Sequence, residues 1–96
     1  MDIQDCRNHI DRIDEQLQQL FQERMNVAAE ISRLKSKNAI STINAERERE
    51  ILLKVDDRSP RDLHVYNRVL FTTLFDLSRS YQNRLRSKSV VKSTRL

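Results

Sequence analysis

The 96-residue chain has no glycine and no tryptophan, one proline, one cysteine and 5% aromatic residues. Without glycine there is no Gly-rich loop to cradle a phosphate, and sheets joined by tight turns are disfavoured. A single cysteine, Cys6, excludes an internal disulfide. Lying among apolar positions, it reads as a small core side chain in a reducing compartment. His9 and His64 stand alone, which leaves no metal site and no Cys–His or Ser–His–Asp set. Long apolar runs are missing and the N-terminus opens acidic, so neither a signal peptide nor a membrane span is expected. Hydrophobic residues make up 38% of the chain. That supports one domain with a modest helical core, thin for a monomer.

Charge is what the chain has in quantity, at 33% of residues. The net charge of +4 is unevenly spread. Residues 84–96, RLRSKSVVKSTRL, carry five basic side chains, whereas residues 1–83 hold 13 basic and 14 acidic ones, a net of −1. The chain therefore divides into a near-neutral body, 1–83, and a basic tail, 84–96. Rich in Ser and Thr, the tail is expected to fray or be disordered. Nucleic acid is not the expected partner, because the body shows no basic stripe with interleaved aromatics.

The body reads as three helices, long, short and long. Ile3, Cys6, Ile10, Ile13, Leu17, Leu20, Arg24, Val27, Ile31 and Leu34 follow each other at alternating spacings of three and four. This is the a/d seam of a helix over about residues 3–37, with a left-handed cap expected at Asn38. Such a helix is about 50 Å long. A compact 96-residue monomer has a radius of gyration of only about 12.5 Å, so most of the seam needs a partner chain. Ser41, Thr42 and Asn44 are N-cap candidates for a second helix, which carries Ile51, Leu52 and Val55 on one face and ends near Asp56-Asp57. Ser59-Pro60 is expected to start the third helix, with Ser59 as N-cap and Pro60 at the first helical position. Its apolar face runs Leu63, Tyr66, Val69/Leu70, Leu74, Leu77, Tyr81, widened by Phe71 and Phe75.

Polar residues interrupt these faces. Arg24 stands in the seam, where it either snorkels or meets a carboxylate across an interface, or else marks an anion site. Ser78 and Gln82 follow Phe71, Leu74 and Phe75 on one side of the third helix, which either turns toward solvent there or lines a site. Lys35 is eleven residues from Arg24, close to three turns and about 16 Å along the same side. Two long basic side chains so placed could grip opposite ends of one small anion.

In order, CRNHIDRIDEQLQQLFQERM, ISRLK, AERERE and LSRSYQ match a known family: the sequence resembles the small all-α chorismate mutases from about residue 3 to 83. The resemblance implies an intertwined all-α homodimer that binds the dianion chorismate and rearranges it to prephenate without metal or cofactor. It implies catalytic roles for Lys35, Gln82 and Arg24, with Lys35 and Gln82 as donors to the ether oxygen. It also implies substrate-binding roles for Arg7 (from the other protomer), Arg47, Glu48, Ser78 and Asn44. Glu48 would hold the substrate hydroxyl and Ser78 a carboxylate. Asn44 departs from the family, where Asp is common and often follows a proline, and the loop conformation is what this departure touches. A cytoplasmic enzyme of aromatic amino-acid biosynthesis is the expectation. The rivals are an isochorismate-pyruvate lyase on the same fold and a non-enzymatic helical dimerisation module whose basic tail binds a partner.

Overall fold

The computed structural model describes the backbone of residues 1–38 and 44–94 and the side chains among these up to residue 88. Helix α1 spans Ile3–Lys37, α2 spans Ala45–Arg58 and α3 spans His64–Thr94, with a short 3₁₀ turn at Arg61–Leu63 before α3. No strand occurs among the described residues.

Each helix begins and ends for local reasons. Asp2 caps α1: its carboxylate accepts from the Asp5 N–H at 2.8 Å, and the Asp5 side chain accepts from the Asp2 N–H at 3.3 Å. This reciprocal pair satisfies two of the otherwise orphaned amides of the first turn. Asn38 closes α1, but with φ −100° rather than in the expected left-handed conformation. The side-chain amide of Asn38 donates to the Leu34 carbonyl at 2.9 Å, alongside its own backbone N–H at 3.2 Å. A second donor on the same carbonyl replaces the left-handed closure.

Asn44 caps α2, accepting from the Arg47 N–H at 3.0 Å. The other two cap candidates, Ser41 and Thr42, lie outside the described residues. Ser59 does not cap α3. It terminates α2, with its hydroxyl donating to the Val55 carbonyl at 2.5 Å and accepting from the Asn67 amide at 2.8 Å. Pro60 sits before the 3₁₀ turn, so the regular helix starts only at His64. Ser59 is thus used up by the helix that precedes it. At the other end, α3 runs past residue 83, and the basic residues Arg84, Arg86 and Lys88 lie on it.

Contacts fix the topology. Arg24 meets Ser78 and Ala28 meets Gln82, so α1 and α3 run parallel. Glu48 meets Arg79 and Asp56 meets Arg68, so α2 runs antiparallel to α3. The face of α1 that packs inside the chain is not the a/d seam but the stripe beside it, where Ala28 and Ser32 are buried and Phe21 and Met25 half-buried. The seam itself lies open, from Ile3 at 71% exposed to Leu34 at 45%. Helix α3 behaves likewise: Phe75 is buried and Phe71 and Leu74 are half-buried, whereas Leu63, Tyr66, Val69, Leu70 and Leu77 are exposed. Among the described residues only Ala28, Val55 and Phe75 form a fully buried apolar core. That core is small for a chain of this length. The radius of gyration, 17.4 Å, likewise exceeds that of a compact monomer.

Candidate active site: a cationic cleft among three helices

The second half of α1, the start of α2 and the middle of α3 enclose a cleft of about 250 Å³. Its apolar walls come from Val27, Ala28, Ile31, Ile51 and Phe75. Its polar lining includes Arg24, Lys35, Asn44, Arg47, Glu48, Ser78 and Gln82, seven of the eight residues singled out from the sequence. Arg7 is elsewhere, exposed on the free half of α1. It stands seventeen residues before Arg24, about 25 Å along the helix.

The side chains are held in different ways. The Arg24 guanidinium is half-buried, donates to the Ser78 hydroxyl at 2.6 Å and lies 5.9 Å from the Phe75 ring centre. Both contacts orient it and neither neutralises it. Lys35 is half-buried as well. Among the described residues no carboxylate pairs with Arg24 or Lys35. Arg47 differs, since it pairs with Glu50 at 2.9 Å on the exposed side of α2. Two cations drawn partly out of water without a counter-charge favour an anion between them.

Gln82 is buried at 7% exposure, and its amide nitrogen donates to the Ala28 carbonyl at 2.9 Å. A primary amide has two N–H groups. The carbonyl takes one and thereby fixes which end of the amide is the donor, and no acceptor for the second N–H occurs among the described residues. Ser32, also buried, donates to the backbone carbonyl of Gln82 at 3.4 Å and ties the same turn of α3 to α1. The side chain of Asn44 is engaged as the α2 cap, a task Asn performs about as well as Asp. Asn44 therefore keeps the start of α2, and with it Arg47 and Glu48, in place.

One lining residue was missed from the sequence. Arg79 reaches across from α3 to pair with Glu48 on α2 and with Asp76 one turn back. Its guanidinium pKa is raised above the ordinary value, first by the bond to Glu48, against burial, which lowers it, and further by the Glu48 charge and, less, by Asp76. The signal was available: Phe75, Ser78, Arg79 and Gln82 make an i, i+3, i+4, i+7 face.

Taken together, a helical scaffold, a partly apolar cleft, two cations with no carboxylate partner among the described residues and a buried amide make a site whose chemistry suits a small anion. More particularly, residues 6–83 match the sequence family described as chorismate mutase type II, and the chain belongs to that family. No curated protein and no solved structure gives a significant match. No helix among the described residues is long and apolar enough to cross a membrane.

Proposed function

We propose that the chain is a chorismate mutase, converting chorismate to prephenate as a cytoplasmic, two-fold symmetric homodimer in the route to aromatic amino acids. One observation carries this reading: Arg24 and Lys35, both without a carboxylate partner among the described residues, line a cleft that also holds the Gln82 amide and the Glu48 carboxylate. The rearrangement is intramolecular. One C–O bond breaks as one C–C bond forms, and no proton is transferred, so the residues need only position and stabilise.

The Arg24 fork suits one substrate carboxylate, and Ser78 sets its orientation. Lys35 serves as the second cation and a donor to the ether oxygen. From the opposite side the free N–H of Gln82 donates to the same oxygen, where negative charge grows as the C–O bond breaks. A donor aimed at developing charge in a water-poor site is worth about 3–4 kcal/mol. Glu48 accepts from the ring hydroxyl, and the walls of Val27, Ile31 and Ile51 favour the folded reactive conformer. Arg7 completes the site from the partner, whose helix would cover the open seam of α1.

The test is direct. Purified protein is mixed with chorismate, and loss of its absorbance is followed together with appearance of prephenate. Isochorismate is assayed in parallel, and release of pyruvate from it alone would assign the protein as a lyase instead. Turnover of neither substrate would leave a dimerisation module.

A further inference from the structure

Among the described residues the one ionic contact between two residues lining the cleft is that of Arg79 with Glu48, and the chemistry above has no use for it as it stands. Both side chains are largely withdrawn from water, at 27% and 28% exposed, whereas Asp76 at the far end is 65% exposed. The two ends of the guanidinium do different work. One amino group bonds Oε2 of Glu48 and the other bonds Oδ1 of Asp76. Asp76 anchors the guanidinium on α3, and the guanidinium anchors Glu48 on α2. Oε1 of Glu48 makes no hydrogen bond among the described residues and is left to accept from a ligand. A planar fork bonded at both ends has little rotational freedom, which a lysine ammonium would keep.

We infer that Arg79 is a positioning residue: it occupies one oxygen of Glu48 so that the other is presented to the hydroxyl of the substrate. This rests on the proposed mutase reading and adds a specificity rule to it. At this wall the site accepts a donor, not a second anion, because Arg79 is already satisfied by two carboxylates. Its contribution to turnover therefore passes through Glu48. A residue that gripped the substrate itself would contribute independently.

A double-mutant cycle in chorismate turnover separates the two. Wild type, Arg79→Gln, Glu48→Gln and the double variant are compared, with thermal melts recorded for each. Arg79→Gln should lower kcat/KM roughly tenfold, mid-range for coupled neighbours. Most of the loss should appear in KM, since the hydroxyl contact exists in ground and transition states alike. In the Glu48→Gln background the same change should have almost no further effect, and Arg79→Lys should recover part of the loss. Should Arg79→Gln fold poorly, Arg79→Lys carries the cycle, with a smaller loss that vanishes in the same background. Additive losses, or a variant as active as wild type, overturn the assignment of Arg79 alone. A wild type that leaves chorismate unchanged overturns the mutase reading and this one with it.

Discussion

Arg24 shows why a residue can be wrong for the fold and right for the site. It interrupts an apolar seam, lies half-buried and is held by a neutral hydroxyl and an aromatic ring. A cation–π contact is worth about 0.5–1 kcal/mol at such a site. Removing a partly buried unpaired charge returns a similar amount, at the low end of what apolar replacement of buried charges yields. Arg24→Leu should thus leave the melting temperature unchanged or slightly higher, while kcat/KM falls about a thousandfold, as when one partner of a desolvated charge pair is lost. A variant that melts much earlier would mean Arg24 stabilises the ligand-free fold. Gln82 lends itself to a pH test. In Gln82→Glu the new carboxyl faces the Ala28 carbonyl from a buried position, and both surroundings disfavour its ionised form. Its folded pKa should lie above the ordinary carboxyl value of about 4.3. The protonated variant keeps a donor, so activity should rise as pH falls through the raised value, with wild type flat. Because the folded pKa is the higher one, the variant should also lose stability as pH rises past about 4.3. Identical pH–rate profiles for the two proteins would remove Gln82 from the ether-oxygen role.

At the scale of elements, periodicity showed three helices and α1 almost to the residue, because an unbroken three–four spacing with no Gly or Pro leaves little choice. It did not show which face packs within the chain. On α1 two adjacent stripes are apolar enough to be buried, and Met25, Ala28 and Ser32 meet α3 while the apolar residues of the stronger seam stay open. A helix's own pattern cannot say which neighbour covers which stripe. Ser59 was misread as the cap of α3, and Arg79 was not picked out, for a related reason: a cap and an ion pair are defined by what lies across a turn or another helix. The link between α2 and α3 illustrates this. Arg68 clasps Asp56 with Nε at 3.0 Å from each carboxylate oxygen, a pair twelve residues apart in sequence. The bond to Arg68 lowers the Asp56 pKa below its usual value, helped by the guanidinium charge and, less, by His64. A lowered folded pKa means the contribution is present at neutral pH and disappears as pH falls through the carboxyl range. Arg68→Ala should therefore melt below wild type near pH 7, and the gap should narrow below about pH 4 and in high salt. A gap independent of pH would show that Arg68 acts by packing alone.

At the scale of the molecule, the open seam and the stranded Arg7 are two sides of one geometric fact. The first half of α1 projects with Ile3, Ile10, Ile13 and Leu17 exposed, and Arg7 rides on it far from the cleft of its own chain. A rigid helix cannot fold that arginine back to Arg24. An antiparallel partner helix would bring its own Arg7 to the cleft, and two-fold symmetry would then create two equivalent sites, each built from both chains. Arg24, Lys35, Ser78 and Gln82 were legible from the helical pattern of the chain itself. Arg47, Glu48, Asn44 and Arg7 entered as site residues only through family resemblance, and of these Arg7 alone lies away from the cleft. Mixing two inactive variants tests this. Arg7→Ala and Lys35→Ala should each be nearly inactive as homodimers. Unfolded and refolded together in equal amounts, they should give mixed dimers as half of the population. In a mixed dimer one site lacks both side chains and the other lacks neither, so roughly a quarter of all sites should regain full turnover. The recovered activity should keep the wild-type KM, because the restored sites are complete rather than partly repaired. Activity that stays near zero after mixed dimers are verified would place Arg7 in the service of its own chain, and an intertwined two-fold architecture would be excluded.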